Sequence, residues 1–234
     1  MADITPEQLK ALPLFASLSA EQCSLLLDRH LQSSHGPEQV FVMEQDWGES
    51  LFLLRTGMAK VRTYTADGNE VVMSVLGEGD VFGEMAALDG AARSADVVAL
   101  TPVTVLKLRA APFAALLQQD ACFALALARL EASRLRDLNQ RFAIQTSDAT
   151  TRLLDALLYL ARRSSAANDP KALIPPLAQR ELGLLAGLAR ETASRTLSKL
   201  RSRATVEEVD GALHLADLKP LVKRGLLPAQ IDGV

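Results

Sequence analysis

The stretch that decides the fold runs from Gly77 to Ala95 and reads Gly77-Glu78-Gly79-Asp80-Val81-Phe82-Gly83-Glu84-Met85-Ala86-Ala87-Leu88-Asp89-Gly90-Ala91-Ala92-Arg93-Ser94-Ala95. Its glycines and aspartates interrupt any helix or strand, because glycine adopts backbone angles that other residues avoid. After the break, residues 82–88 are predicted to form a short helical turn. The first N–H groups of such a turn lack intrahelical partners and therefore attract anions.

Three side chains give this stretch its chemistry. Arg93 follows Gly83 by ten residues and is itself followed by Ser94, a pair that suits a phosphate through charge and several hydrogen bonds. An ionised Glu84 only accepts hydrogen bonds, so a sugar hydroxyl is a suitable partner for it. The pattern predicts a pocket for a phosphorylated sugar. The alternative is a Glu84–Arg93 ion pair that closes a surface loop.

The same stretch resembles the phosphate-binding cassette of the cyclic-nucleotide-binding domains. In that family the glycine amide and the glutamate hold the ribose, while the arginine and the following serine hold the cyclic phosphate. The resemblance implies these roles for Gly83, Glu84, Arg93 and Ser94. The predicted ligand site also includes two residues that directly follow Glu84 in the cassette, Met85 and Ala86.

Length, composition and charge limit the kinds of protein that this chain can be. A chain of 234 residues with 49% apolar and 23% charged residues is long enough for two domains with real cores. The net charge of −3 gives no global attraction to nucleic acid, so any basic surface must be local. No segment approaches the roughly 20 apolar residues of a membrane span, and no signal sequence is evident, which predicts a cytoplasmic protein without membrane contact.

Cysteine and histidine positions give no support to a metal site. Cys23 and Cys122 lie far apart in apolar surroundings and are predicted to be reduced core residues. The three histidines show no ligand spacing, so the sequence predicts no metal. No nucleophile–base pair or P-loop lysine motif appears either, which predicts a protein that is not an enzyme and has no catalytic cofactor.

The hydrophobic pattern predicts an α+β protein with an N-terminal antiparallel β-roll. Between residues 40 and 108, short apolar or alternating runs are separated by glycine-bearing turns, and Asp67-Gly68 is a strong hairpin signal. The predicted strands are Val40–Val42, Leu51–Leu54, Met58–Tyr64, Val71–Leu76 and Val103–Leu108. The predicted domains are residues 1–110 (the roll, a ligand sensor by the cassette it contains), 111–147 (long helix and hinge) and 148–234 (a C-terminal domain, described below).

A long helical run is predicted from Ala110 to about Gln145. Leu135, Leu138 and Phe142 follow a 3–4 spacing on it, and Ala128 and Glu131 continue the same stripe one heptad earlier, which is coiled-coil spacing. The pattern predicts a parallel homodimer. Packing of the stripe on the protein's own roll is the alternative.

Beyond a second predicted helix, residues 149–163, the chain shows a helix, a glycine-bearing turn and another helix between Gln179 and Leu200. This is the pattern of helix-turn-helix DNA readers. From Gln179 to Arg203 there are six basic side chains against two glutamates, a local charge of about +4. Residues 206–215, turning at Asp210-Gly211, are predicted to form a hairpin wing.

The second of these helices begins Arg190-Glu191-Thr192-Ala193-Ser194-Arg195. Arginine can grip guanine in the major groove and glutamate can accept from cytosine. A Glu191–Arg195 surface ion pair is the alternative. The helix resembles the recognition helix of the CRP/FNR regulators, whose base-reading residues follow an R-E-x-x-x-R pattern. The predicted DNA-binding residues are Arg180, Arg190, Glu191, Thr192, Ser194, Arg195 and Lys199.

The sequence departs from its relatives where the base of a nucleotide would bind. Cyclic AMP receptors carry a Thr-Ser pair on the dimer helix, and that pair falls here at Asp137-Leu138 or Leu138-Asn139. Asp137 or Asn139 can accept from an adenine or guanine amino group, so the base stays open and a cyclic dinucleotide is possible. All three residues are included in the predicted ligand site.

The resemblance implies a ligand-responsive transcription regulator, here expected to be an activator, that binds palindromic double-stranded DNA as a homodimer. Cyclic AMP or a related messenger would be its allosteric ligand and RNA polymerase a partner. Two alternatives stay open: a regulator of the same fold with a vestigial pocket, and a ligand-binding module that acts through protein partners.

Overall fold

The computed structural model describes residues 4–165 and 167–229 and has the predicted α+β architecture of antiparallel sheets, a long helix and a C-terminal helix-turn-helix. The strands are β1 (Leu31–His35), β2 (Val40–Val42), β3 (Ser50–Thr56), β4 (Ala59–Tyr64), β5 (Glu70–Leu76), β6 (Val81–Phe82), β7 (Asp96–Ala99), β8 (Val103–Arg109), β9 (Val206–Val209) and β10 (Ala212–Leu215). The helices are α1 (Pro6–Lys10), α2 (Ala20–Leu27), α3 (Glu84–Asp89), α4 (Ala110–Gln119), α5 (Ala121–Ile144), α6 (Ala149–Arg163), α7 (Gln179–Ala186), α8 (Arg190–Ser202) and α9 (Lys219–Lys223), with a 3₁₀ turn at Pro13–Phe15.

Contacts within the chain group it into two compact units. The first contains residues 4–59 and 79–138, and the second contains residues 60–78 and 139–229. The β4–β5 hairpin therefore groups with the C-terminal part of the chain, although its sequence lies within the predicted roll. The predicted domain limits remain a prediction.

The first unit holds an antiparallel sheet in the order β1-β8-β3-β6, together with the pair β2–β7. Its core is closed by three phenylalanines, with Phe123 contacting both Phe15 and Phe113 at centroid distances of 5.9 and 5.3 Å. The sequence analysis missed β1, β6 and β7. β1 was missed because four of its five side chains are exposed on an edge strand that pairs only with β8, so it carries no apolar signal.

The predicted uninterrupted helix from Ala110 was wrong at one point. The chain bends by 112° between α4 and α5 at Asp120, whose backbone is extended (φ −121°, ψ 102°). Oδ1 of Asp120 accepts from the backbone N–H of Phe123 at 2.9 Å and so caps the start of α5. Cys122, which the sequence had placed in the core, is exposed, while Cys23 is buried as predicted.

The second unit contains the helix-turn-helix and its wing. α6 spans the predicted residues and buries its leucine-rich face, and α7 and α8 are joined through Gly187, which has φ 59° and ends α7 in the left-handed region. The wing pairs β9 with β10 in antiparallel register. Asp210 and Gly211 both have positive φ, as a type I′ hairpin turn requires.

Within the described ranges, no single helix is both long and apolar enough to span a membrane. The bent pair α4–α5 meets that test by length and composition only.

Candidate nucleotide pocket and DNA-binding surface

Gly83 begins the cassette helix α3 in a backbone conformation that favours glycine. Its φ is 78° and its ψ is 8°, in the left-handed region. A Cβ at this position would lie 2.6 Å from Nη1 of Arg93. Both the backbone and the close approach of the arginine therefore require glycine here.

Arg93 is buried, not a surface side chain. Nη1 donates to the carbonyl oxygen of Gly83 at 2.7 Å, Nη2 donates to that of Ser50, and the guanidinium lies 5.5 Å from the ring centroid of Phe52. Burial lowers the pKa of Arg93, and the carboxyl groups of Glu84 and Asp46 oppose this shift. Arginine remains protonated at neutral pH, so the loop holds a permanent buried cation.

Glu84 is 3% exposed and its cation partner lies on the long helix. Oε1 accepts from Nη1 of Arg134 at 2.9 Å, and Arg134 also donates to Glu131 at 2.9 Å and to the carbonyl oxygen of Val81. Among the described residues, Oε2 of Glu84 has no hydrogen-bond partner. Such a buried oxygen is suited to accept from a sugar hydroxyl. The geometry differs from the alternative of a surface Glu84–Arg93 ion pair, because both side chains are buried and the carboxylate of Glu84 pairs with Arg134.

Desolvation raises the pKa of Glu84 to about 7. The charge of Arg134 opposes this shift, and the nearby carboxyl group of Glu131 adds to it. Glu84 therefore changes its protonation state near neutral pH, where few carboxyl groups do.

Sequence reasoning missed Arg134. Its signal was available: a buried glutamate needs a cation, and Arg134 lies one helical turn before the positions considered for base recognition. Nothing local relates it to Glu84, which lies 50 residues earlier in the chain.

The structure brings together only part of the predicted ligand site. Gly83, Glu84 and Arg93 form one largely buried cluster. Met85 and Ser94 are exposed and Ala86 is half-buried, while α5 presents three exposed residues, Asp137, Leu138 and Asn139.

The helix α8 is amphipathic, with one buried face and an opposite face that carries the predicted DNA-binding residues. Ala193, Thr196, Leu197 and Leu200 are buried against the rest of the unit. The predicted DNA-binding residues on this helix are exposed or half-buried: Arg190, Glu191, Arg195 and Lys199 are exposed, and Thr192 and Ser194 are half-buried.

Arg180 differs from the other predicted DNA-binding residues because it lies on α7 and is already paired. Its Nη2 donates to Oε2 of Glu70 at 2.7 Å. Beside this pair, Lys60 and Glu181 form a buried ion pair at 2.6 Å that sequence reasoning also missed.

Comparisons with known proteins identify two domains and the family of this chain. Residues 33–120 match the model of the cyclic nucleotide-binding domain, and residues 151–224 match that of the Crp-like helix-turn-helix domain. The cyclic AMP receptor protein of Thermus thermophilus is 30% identical over 213 residues, which cover 89% of this chain and 94% of that protein. This chain belongs to the CRP/FNR family.

Solved structures of CRP/FNR proteins share the fold. FixK2 of Bradyrhizobium japonicum superposes with a TM-score of 0.72 at 21% identity, covering 86% of this chain and 99% of that one. CLP of Xanthomonas campestris, described as a c-di-GMP-responsive global regulator, superposes with a TM-score of 0.67 at 21% identity, covering 85% of this chain and 100% of that one. A cyclic nucleotide-binding domain followed by a Crp-like helix-turn-helix is the organisation of a DNA-binding transcription regulator.

Proposed function

We propose that this CRP/FNR protein binds a cyclic nucleotide at its cassette and that the bound nucleotide controls its affinity for DNA. The observation that carries the proposal is the buried cluster of Arg93, Glu84 and Gly83. A permanent cation and a carboxylate with one oxygen unpartnered in the described structure match the phosphate and the ribose of a cyclic nucleotide. Met85, Ala86 and Ser94 complete the proposed site from the same loop.

Cyclic AMP is the first candidate ligand, because the relative in Thermus thermophilus is a cyclic AMP receptor protein. A cyclic dinucleotide is the second candidate. In place of the Thr-Ser pair of the cyclic AMP receptors this chain has Asp137-Leu138 or Leu138-Asn139, and CLP is described as responsive to c-di-GMP. We assign base recognition to these three α5 residues in either case.

We further propose that the protein is a homodimer through α5. Leu135, Leu138 and Phe142 are 58%, 38% and 79% exposed, which leaves an apolar stripe without cover in the single chain. The 3–4 spacing of the stripe is that of a two-helix seam. A twofold dimer places two recognition helices about one DNA turn apart, the spacing of a palindromic operator.

On DNA, Arg190, Glu191 and Arg195 read bases, while Arg180, Thr192, Ser194 and Lys199 contact phosphates or neighbouring base edges. The protein acts in the cytoplasm as an activator with RNA polymerase as a partner, and it is not an enzyme. The proposed domains are residues 1–110, 111–147 and 148–234, of which 1–3, 166 and 230–234 lie outside the described residues.

The test combines calorimetry with DNA binding. Purified protein is titrated with a panel of cyclic mono- and dinucleotides, and its affinity for a selected palindromic duplex is then measured with and without each ligand at several salt concentrations. Binding of one nucleotide together with tighter duplex binding supports the proposal. Salt-dependent DNA binding without any nucleotide effect indicates a vestigial pocket. Nucleotide binding without specific DNA binding indicates a module that acts through protein partners.

A further inference from the structure

The β4–β5 hairpin carries a buried lysine between two carboxylates. Lys60 on β4 is 3% exposed, and its Nζ lies 2.6 Å from Oε1 of Glu70 on β5 and 2.6 Å from Oε2 of Glu181 in the first turn of α7. Burying an ammonium group is costly unless opposite charges surround it. Lys60 therefore connects the hairpin to the first helix of the helix-turn-helix.

Glu70 is shared between this lysine and a predicted DNA-binding arginine. Its Oε2 accepts from Nη2 of Arg180 at 2.7 Å, and Nη1 of Arg62 lies 3.7 Å from its Oε1. Desolvation pushes the pKa of Glu70 upward, but the hydrogen bond and charge of Lys60, with Arg62 and Arg180, outweigh it and lower the pKa overall. Glu70 is therefore ionised at neutral pH.

The same hairpin is anchored to the unit through its backbone. Arg141 donates to the carbonyl oxygen of Met73 at 2.7 Å, the hydroxyl of Tyr159 accepts from the backbone N–H of Val75 at 3.1 Å, and Arg163 donates to the carbonyl oxygen of Val75 at 2.8 Å. The hairpin is thus held by α5 and α6 independently of α7. It provides a fixed support against which α7 is held by side chains.

α7 and α8 are closely packed at the turn that joins them. A Cβ on Gly183 of α7 would lie 3.0 Å from the carbonyl oxygen of Leu188 and 3.6 Å from Cβ of Ala193 on α8. Packing this tight makes the two helices move together. A restraint on α7 is therefore also a restraint on the recognition helix.

We propose that Lys60, Glu70, Arg180 and Glu181, which we name the hairpin latch, hold the helix-turn-helix against the β4–β5 hairpin and lower its affinity for DNA. The latch rests on the proposed DNA-binding function and adds a regulatory device to it. It acts in two ways: the buried Lys60–Glu181 pair restrains α7, and Glu70 takes the Arg180 guanidinium that a DNA phosphate would otherwise take. The side chain of Arg180 is 59% exposed, so a DNA phosphate can reach it and compete with Glu70.

The experiment uses the full-length protein without nucleotide and a selected palindromic duplex. Lys60→Met and Glu70→Gln open the latch, and Asp67→Asn is the matched control, because it removes one exposed carboxylate from the turn of the same hairpin. We expect both latch variants to bind DNA at least about fivefold more tightly than wild type. Glu70→Gln should also steepen the slope of log affinity against log salt by about one, since Arg180 loses its 2.7 Å ion pair with Glu70 and keeps the longer one to Glu181, at 3.5 Å, with which a DNA phosphate can compete. Asp67→Asn should match wild type within about twofold.

Two results would overturn the latch: variants that are folded by thermal unfolding yet bind as wild type or more weakly, or a control that tightens as much as they do. If Lys60→Met does not fold, hydrogen exchange in Glu70→Gln tests whether the latch restrains α7. Amides of α7 should exchange at least about tenfold faster than in wild type, and unchanged exchange contradicts the latch. Wild-type protein that fails to bind the duplex with any nucleotide contradicts the proposed function, whereas normal wild-type binding with inert variants contradicts only the latch.

Discussion

Nη1 of Arg134 lies 2.9 Å from Oε1 of Glu84, so an ion pair joins the long helix α5 to the cassette loop. The carboxylate assigned to a ribose hydroxyl is therefore already engaged by an arginine on the helix assigned to dimerisation. A ligand that hydrogen-bonds to Glu84 competes with Arg134 for this carboxylate and so changes the strength of the ion pair. This gives a direct physical route from the cassette to α5, and it makes Glu84 the group whose titration reports on the site.

Replacing Glu84 with Gln should change how stability depends on pH. The pKa of Glu84 is raised from 4.5 to about 7 in the folded protein, so its contribution to stability is fully present below pH 4.5 and is lost as pH rises through about 7. Between pH 4.5 and 8, wild type should therefore lose about 3 kcal/mol of unfolding free energy relative to Glu84→Gln. Urea unfolding across this range measures the difference. Parallel pH curves for the two proteins would contradict the raised pKa.

Arg134→Met should be more destabilising at pH 8 than at pH 5. At pH 8 the variant leaves an ionised, buried Glu84 without its cation, which should cost about 2–3 kcal/mol. At pH 5 Glu84 is protonated, so this penalty disappears and the variant loses only the hydrogen bonds that Arg134 donates to Glu84, Glu131 and Val81, which it loses at pH 8 as well. The double variant Arg134→Met/Glu84→Gln is the control, and its loss should not depend on pH. An equal loss at both pH values in the single variant would show that Arg134 acts by packing alone.

Arg93→Ala should weaken nucleotide binding by at least about 2 kcal/mol, or roughly 30-fold, because the buried phosphate loses its charge-assisted partner. Calorimetry measures the loss, and Arg109→Ala, which removes an exposed arginine from the same unit, should leave affinity unchanged. Arg93 also donates to two backbone carbonyls, so thermal unfolding must accompany the measurement. Arg93→Lys keeps the charge and should bind with intermediate affinity. Unchanged affinity in a folded Arg93→Ala would remove the phosphate assignment.

Leu135→Glu should shift the protein from dimer towards monomer. A glutamate there places like charges at the proposed seam and removes a large apolar contact. Gln140→Glu adds the same charge on the opposite side of α5 and should remain dimeric, with unchanged helical content by circular dichroism in both variants. Sedimentation velocity at micromolar concentration gives the assembly state. A wild type that sediments as a monomer would refute the dimer directly.

Variants of α8 should distinguish residues that read bases from residues that contact phosphates. Arg190→Ala and Arg195→Ala should each cost about 1–3 kcal/mol on the selected site, and Glu191→Ala should relax preference at one base pair. Lys199→Ala should instead weaken all duplexes alike and reduce the salt slope by about one. Binding-site selection with wild type and the four variants distinguishes these effects. If every variant selected the same consensus as wild type and only bound it more weakly, residues outside α8 would be reading the sequence.

The features that the sequence determined are those with a local physical cause. Thr5 and Ser19 form the capping boxes that start α1 and α2, where each side chain bonds a backbone N–H three residues away. The bounds of α6 follow from the Asp148 cap and a leucine stripe, and the left-handed Gly187 ends α7 where the pattern placed the turn. The cassette was predictable for the same reason, since its glycine and its arginine are ten residues apart.

Only the tertiary structure decided which distant charges meet. Lys60 reaches Glu181 across 121 residues, and Arg134 reaches Glu84 across 50, and neither pair has a local pattern that predicts it. Their cause is burial: once folding removes a carboxylate from water, a cation must lie beside it, and the fold determines which one is within reach. The bend at Asp120 has both kinds of cause, because Asp120 caps the start of α5 through a local hydrogen bond from the N–H of Phe123, and Phe113 and Phe123 pack against each other across the bend.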